Sequence, residues 1–450
     1  MSKNLLIEKF NLPSQWKIER LENLCRQIVD GTHHTPKYTD FGVPFLRVTD
    51  VQGATIDLDR IKYVSKEEHK VLVKRCHPKS GDILLSKNGT IGIPKVVDWD
   101  WDFSIFVSLA LIKLKNDIDA YYLYHFLKSN LTKWQVKRRA KQGTVTNLHL
   151  EEIREFEIPI LPLPQQKKIA KILSTCDTVI EKTEAAIAKY QALKQGLMHD
   201  LFTRGIHLET GKLRPTYQDA PELYKKSVLG WIPKEWDEGQ FIDFANENIH
   251  YSFTGGPFGS DLQSKDYKKE GVRIIQLQNI GDGHFNNGYK IFTSEEKANQ
   301  LRACNIYPGE IILSKMADPI ARACIIPNND ERYLMASDGI RLSIDKRRFN
   351  GRFVLETINQ SRFRNMAELR STGTTRSRIG LTELKEIPIV YPSYKEQSLI
   401  GNKLDALENN IDNQKEILTK YQKLKAGLMQ DLLTGKVLVN TEEKLKIYEH

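Results

Sequence analysis

Two stretches of the chain carry the same apolar stripe at helical spacing. The first is Ile169, Leu173, Cys176, Ile180, Ile187, Tyr190, Leu193, Leu197 and Leu201. The second is Ile400, Leu404, Leu407, Ile411, Leu418, Tyr421, Leu424, Leu428 and Leu432, each 231 positions beyond its counterpart. Steps of mostly three and four residues put such positions on one narrow helix face, the pattern of a coiled coil. One polar residue interrupts each stripe at the same place, Thr183 and Gln414. No proline falls within 165–203 or 394–434, so the spacing predicts two unbroken helices. A helix over 165–203 would be about 58 Å long, too long to be covered by one small domain. The expected pairing residues are Ile169, Leu173, Ile180, Ile187, Tyr190 and Leu197 on one helix. On the other they are Ile400, Leu404, Leu407, Ile411, Leu418, Tyr421 and Leu428.

The duplication extends beyond the stripes. IAKYQALKQGLMHDL (187–201) returns as LTKYQKLKAGLMQDL (418–432), and EIPI at 157–160 returns at 386–389. Each EIPI runs through a proline-containing turn to a glutamine, Gln166 or Gln397. GDILLSK (81–87) matches GEIILSK (309–315), GVPFLRVTDV (42–51) matches GVRIIQLQNI (271–280), and LPSQW (12–16) matches IPKEW (232–236). A chain written twice calls for two equivalent halves. An antiparallel helix pair makes duplicated halves equivalent by a pseudo-twofold. The alternatives are a parallel pair, or each helix lying on its own globular part.

Upstream of each stripe the pattern is mixed. PFLRVTDV, DILLSK, SLALIKLK and EIPIL read as strands, as do RIIQLQNI, EIILSK, IRLSI and EIPIV. AYYLYHFLKSNLTKWQVKRRAK and RFVLETINQSRFRNMAELRS read as amphipathic helices, each ending at a Gly-Thr turn. The expected fold is thus two duplicated α/β domains joined by two long α-helices that pair as an antiparallel coiled coil. The boundaries are domain 1 at 1–160, a helical spacer at 161–203, a linker at 204–229, domain 2 at 230–390, a second spacer at 391–438 and a tail at 439–450. The polar stretch 204–227, with Pro215 and Pro221, reads as an exposed connector.

Composition narrows the function classes. The 450 residues are 40% hydrophobic and 28% charged, ordinary for a globular protein. No apolar run reaches membrane-helix length, and the N-terminus has no signal-peptide core. Five cysteines, Cys25, Cys76, Cys176, Cys304 and Cys324, form no Cys-x-x-Cys pair, which fits a reducing cytoplasm. The 67 basic against 57 acidic residues give a net +10, suited to a polyanion.

Catalytic signatures are missing. There is no phosphate-binding loop, no glycine-rich dinucleotide turn and no HExxH. The GDILLSK and GEIILSK strands put Leu85 and Leu313 where a nuclease needs an acid two residues before its lysine. The His33-His34 pair would point to opposite faces of a strand, so a contact role suits it better than metal binding. What remains is polar loops in equivalent places: DGTHHTPKY (30–38), SKNGT (86–90) and KQGTVTN (141–147), against FTGGPFGS (253–260), SKMAD (314–318) and RSTGTTRSR (370–378). Beside them run Lys133, Lys137, Arg138, Arg139 and Lys141 in one half and Arg362, Arg364, Arg370, Arg376 and Arg378 in the other. Basic side chains next to Ser, Thr, Asn and Gly backbone are what phosphate contact needs, and Arg, Asn, Lys and His can read base edges. The bland alternative is a solvated charged helix. The run DWDWDF (98–103) reads as a strand or hairpin pointing away.

The ordered set of repeated motifs resembles the specificity subunit of type I restriction–modification systems. Its carriers are the two EIPI-to-Gln helix entries, KYQALKQGLMHDLFT and KYQKLKAGLMQDLLTGKV, GWIPKEW (230–236), and the two GDILLSK-like strands. The resemblance implies that each globular part is a target recognition domain reading half of a bipartite site in double-stranded DNA. It implies that the helices dock two methyltransferase subunits, and that restriction–translocase subunits join for cleavage. It implies no catalysis and no cofactor on this chain, with S-adenosylmethionine, ATP and magnesium on the partners. Unlike loops in the two halves predict an asymmetric site. Thr32, His33, Asn88, Thr144 and Asn147 are expected to contact DNA from domain 1, and Ser260, Lys315, Thr374, Arg376 and Arg378 from domain 2. Lys137, Arg138, Arg139, Arg362 and Arg364 are expected on phosphates. The rival reading is a coiled-coil scaffold that binds no DNA.

Overall fold

The computed structural model describes residues 5–53, 55–139, 147–316, 319–373 and 377–440. The chain divides into two compact units. Unit 1 is Met1–Ala188 with Asn413–His450, and unit 2 is Lys189–Asp412. Both cuts fall inside the long helices, Leu163–Thr203 and Tyr394–Leu433, of 41 and 40 residues.

Unit 1 is built on an antiparallel sheet in the order Cys25–Asp30, Leu109–Leu114, Ile83–Ser86, Pro94–Val96. Ile83 and Leu85 face the main core, while Leu84 faces a second core with Phe103, Ile105, Leu109 and Leu111. Burial on both faces is why GDILLSK reads as an unbroken apolar run rather than an alternating one. A second sheet runs Tyr38–Thr39, Lys62–Val64, Val43–Leu46, Ser104–Ile105, its last pair parallel. The main core also takes Tyr122, Leu123, Phe126 and Leu127 from the helix Ala120–Lys128. It takes Ile169 and Leu173 from the start of the first long helix, and Leu432 and Leu433 from the end of the second.

Unit 2 repeats the plan. Its antiparallel sheet runs Phe253–Gly255, Gly339–Leu342, Ile311–Ser314, Ala323–Ile325. Ile311 and Leu313 face one core and Ile312 another. The second sheet is larger, five strands with Val272–Ile275 and Tyr333–Met335 parallel. The main core takes Ile400 and Leu404 from the start of the second long helix, and Leu201 and Phe202 from the end of the first. These are the counterparts, 231 positions away, of the residues that serve unit 1.

The repeated glutamines have a structural task. Gln166 Oε1 accepts from the Asp119 N–H at 2.9 Å, and its Nε2 donates to Leu161 O at 2.8 Å. Gln397 Oε1 accepts from the Asn350 N–H at 2.9 Å, and its Nε2 donates to Pro392 O at 2.9 Å. Each buried amide ties a long helix to the cap of the helix packed on it, meeting polar groups that would be costly to leave unpaired. Ion pairs follow the same rule. Lys194 Nζ meets Glu408 Oε1 at 3.0 Å inside unit 2, and Lys425 Nζ meets Asp177 inside unit 1. Lys425 and Lys194 are equivalent, as are Glu408 and Asp177.

Several expectations need correction. PFLRVTDV and RIIQLQNI are strands only over Val43–Leu46 and Val272–Ile275. Tight turns Val48–Asp50 and Leu277–Asn279 follow, because Asp50 and Asn279 accept from the backbone three residues earlier, at 2.8 and 3.0 Å. The amphipathic helices each break in two, into Ala120–Lys128 and Asn130–Arg139, and into Gly351–Asn359 and Ser361–Leu369. Ser129 and Gln360, between them, are extended. The expected exposed connector is folded: Ile206, Arg214, Ala220 and Tyr224 are buried. Arg214 meets Glu396 at 2.6 Å, and Glu396 also accepts from Trp236 Nε1. DWDWDF is no strand; Trp99 and Trp101 stack at 5.0 Å beside the buried Phe103.

Along the stripes, Ile169, Leu173, Ile400, Leu404, Leu407 and Ile411 are buried, while Ile180, Ile187, Tyr190, Leu197, Leu418, Tyr421 and Leu428 are half-buried. Thr183, the polar interruption, is buried and donates to Val179 O at 2.7 Å. Leu193 and Leu424, equivalent positions, are 54% and 50% exposed. All five cysteines are buried and unbridged, and burial pushes the Cys25, Cys76 and Cys324 thiols up to about 12.

Candidate nucleic-acid interface

In unit 1 the polar loops meet where the strand Ile83–Ser86 ends. Lys87 N–H donates to Ser108 O at 2.9 Å, and Leu148 N–H donates to Lys87 O at 2.7 Å. Asn88 and Asn147 form a bridge. Gly31 brings the DGTHHTP loop alongside: a Cβ there would lie 2.0 Å from Ile105 O, so no other residue fits. Thr32 N–H then bonds Ile105 O at 3.1 Å.

Asp30, just before that glycine, is buried and gathers three nitrogen donors. His33 Nε2 lies 3.1 Å from Oδ1, Arg75 Nη2 2.7 Å from Oδ1, and Lys87 Nζ 3.1 Å from Oδ2. Burial alone would raise this carboxyl; hydrogen bonds from His33 and Lys87 outweigh it and hold it below the ordinary aspartate value. The two histidines lie past the strand end, and His34 turns instead to Thr32 Oγ1 at 2.8 Å.

Unit 2 builds the same corner with other side chains. Lys315 N–H donates to Asp338 O at 2.7 Å, and Ile379 N–H donates to Lys315 O at 3.0 Å. Met316 and Thr372 each bridge Arg378. Arg378 Nη2 reaches Asp338 Oδ1 at 3.0 Å. Gly256 takes the place of Gly31: a Cβ there would lie 1.9 Å from Ala336 O.

The structure therefore brings together Thr32, His33, Asn88 and Asn147 in one unit and Lys315 and Arg378 in the other. Ser260 sits further along its loop, on an exposed turn facing Asp261 at 3.2 Å. Lys137 and Arg138 are exposed on the helix Asn130–Arg139, Arg138 lying over the Trp134 ring at 5.5 Å. Arg362 is exposed, with Nη2 near Gly230. Arg364 spends both prongs on Asp282, at 2.5 and 3.0 Å, and holds that carboxyl low. Thr144, Thr374, Arg376 and the side chain of Arg139 lie outside the described residues. Sequence reading missed Arg75, and it missed the bracing roles of Asp30 and Asp338. An acid at a strand end just before a cationic loop would have pointed to Asp30, but nothing nearby points to Arg75. Among the described residues no cluster of His, Cys, Asp or Glu could hold a metal ion, and no helix is long and apolar enough to cross a membrane.

Residues 13–189 and 261–422 match the family of the type I restriction modification DNA specificity domain. The chain belongs to that family. The two matches follow the duplication, one in each half. Among curated members, the chain is 27% identical over 443 residues to a putative type I restriction enzyme MjaX specificity subunit of Methanocaldococcus jannaschii, covering 96% of this chain and 95% of that one. It is 24% identical to the MjaVIII specificity subunit of the same organism, over 84% and 82% of the two chains. The S subunit of a type I restriction–modification system from M. genitalium shares the fold, with TM-score 0.57, 16% identity, and 96% and 98% of the chains covered. The specificity-subunit fold thus extends over most of the chain.

Proposed function

We propose that the chain is the DNA sequence-recognition subunit of a type I restriction–modification complex. The observation that carries this is the corner built twice, the same backbone frame at Lys87 and at Lys315 with unlike side chains around it. One frame with two sets of polar groups suits two readers of two different short sequences. Readers 1–160 and 230–390 each take one half-site of an asymmetric bipartite sequence in double-stranded DNA. The chain itself is non-catalytic. Methyltransferase subunits supply S-adenosylmethionine chemistry on adenine, and restriction–translocase subunits use ATP and magnesium.

The two long helices pair antiparallel and set the gap between half-sites. The reciprocal ion pairs Lys194 to Glu408 and Lys425 to Asp177 support this, since an antiparallel twofold pair makes each contact twice. Leu193 and Leu424, exposed at equivalent positions, suit the docking of two like methyltransferase subunits.

Co-expression with the methyltransferase subunits in a host lacking adenine methylation tests the reading. Sequencing that detects modified bases is expected to find one split, asymmetric motif. A purified complex that shifts no DNA at low salt would instead favour the scaffold. Lengthening both helices by one turn, ~5.4 Å, is expected to widen the gap by one or two base pairs of ~3.4 Å; an unchanged gap would remove the ruler role.

A further inference from the structure

We infer that Arg75 and Arg378 are carboxylate-braced readers of guanine, one in each unit. The assignment rests on the recognition role proposed above and extends it to the base read. Both side chains are more than half exposed, 57% and 56%, while the carboxylates behind them, Asp30 and Asp338, are 3% and 20% exposed. Each arginine meets its carboxylate through Nη2 alone, although Arg378 also turns Nε and Nη2 to the Met316 sulfur at 3.4 Å. That separates them from Arg47, Arg347 and Arg364, which turn two nitrogens onto Asp50, Asp345 and Asp282 and so spend the fork inside the protein.

Both also stand at the corner the two units share. Lys87 Nζ sits on the same carboxylate as Arg75, and the carbonyl of Asp338 accepts from Lys315 N–H. An arginine anchored from behind by a carboxylate keeps its planar fork in place before DNA arrives. The fork matches the two acceptors that guanine shows in the major groove, O6 and N7, whereas adenine puts a donor in place of O6. Asp338 offsets the charge of Arg378, whereas Asp30 is shared by Arg75 and Lys87 and leaves that corner net positive, so what marks Arg75 as a base reader is its fork geometry and not its charge balance. Arg75 follows the helix Lys66–Leu72, whereas Arg378 comes from the segment beyond Ser361–Leu369. The device therefore recurs without the two arginines being copies of each other. Asp30 and Asp338 are positioning residues.

The test uses the full chain assembled with its methyltransferase subunits, and duplexes carrying the motif found by methylation mapping. Both half-sites are expected to contain a G·C pair. Each guanine is replaced in turn by 7-deazaguanine, which lacks N7. One replacement per half-site is expected to weaken binding of the unaltered complex severalfold. Arg75→Lys, which keeps the charge but loses the fork, is expected to weaken binding to the native motif roughly 5- to 150-fold. That variant is expected to show no further loss on the 7-deazaguanine duplex of its own half-site, and the normal loss on the other. Arg378→Lys is expected to do the converse. Asp30→Asn is expected to narrow the guanine to 7-deazaguanine ratio in the first half-site alone. A half-site without a G·C pair, indifference to every 7-deazaguanine, or an Arg75→Lys loss equal on motif and random DNA would overturn the assignment. An unaltered complex with no sequence preference would overturn the recognition role itself, and the assignment with it.

Discussion

The corner at Lys87 is closed by Ser108, Asn147 and Leu148; the corner at Lys315 is closed by Asp338, Arg378 and Ile379. The backbone hydrogen bonds are the same two in each unit, yet the side chains share almost nothing. A frame made of main-chain donors and acceptors does not depend on which side chains stand on it. The groups facing outward can therefore differ without moving the sheet that carries them. Beneath the corners the likeness returns in side chains, through Gln166 and Gln397 and through the helix ends that fill each core.

Three experiments probe how far the two units differ. The largest effect is expected where the units differ most. Arg214 and Glu396 form a buried ion pair in unit 2, and Gln165 stands in place of Glu396 in unit 1. Arg214→Met leaves Glu396 buried without its cation and is expected to cost about 3–5 kcal/mol. Hydrogen exchange should report the loss within 189–412; an equal loss in unit 1 would deny the units separate stability. Next come the equivalent leucines Leu432 and Leu201, both buried. Leu432→Ala and Leu201→Ala are each expected to cost about 2–5 kcal/mol, the first in unit 1 and the second in unit 2. Denaturant midpoints that differ widely between the two would show that the shared core plan is not shared in energy.

The smallest effect is a contrast in pH response. His125 is buried in unit 1, with Nε2 on Ser174 Oγ at 2.9 Å. Burial, aided by the Lys425 charge, brings its pKa down to about 3. Below about 6.5 the unfolded chain takes a proton that the folded chain refuses. Unit 1 is therefore at full strength above that pH and loses up to ~1.4 kcal/mol per pH unit as the pH falls toward 3. Glu356 holds the equivalent place in unit 2, where burial raises its carboxyl against the pull of Arg352 at 2.6 Å. A raised pKa acts in the other sense, with stability present below about 4.5 and lost as the pH rises. Between pH 6.5 and 5, unit 1 should weaken and unit 2 should not, as read by exchange rates corrected for intrinsic pH dependence. His125→Gln should flatten the slope in unit 1.

The long helices were legible because a stripe at three-and-four spacing has few other solutions and was present twice. The doubly buried strands were legible because Ile83–Ser86 and Ile311–Ser314 face two cores each. The breaks at Ser129 and Gln360 were not, since an amphipathic pattern continues through both. The connector was misread because Arg214 looks solvated until Glu396, 182 residues later, is placed beside it. The same limit applied at the corner. Residue type marked the loops holding Thr32, His33 and Asn88. Arg75 lies 45 residues from Asp30, and only folding brings the two together.

The ion pairs of the long helices carry one more implication. Lys194 with Glu408 and Lys425 with Asp177 are a single handshake performed twice, and the first long helix already owns one hand of each kind, Asp177 and Lys194. It also owns both kinds of core plug, Ile169 and Leu173 at its start and Leu201 and Phe202 at its end. A fragment that stops after this helix would carry one partner of each ion pair, Lys194 for the Asp177 of another copy and Asp177 for its Lys194. Two such fragments would display the same reader twice, and their preferred sequence would be a palindrome.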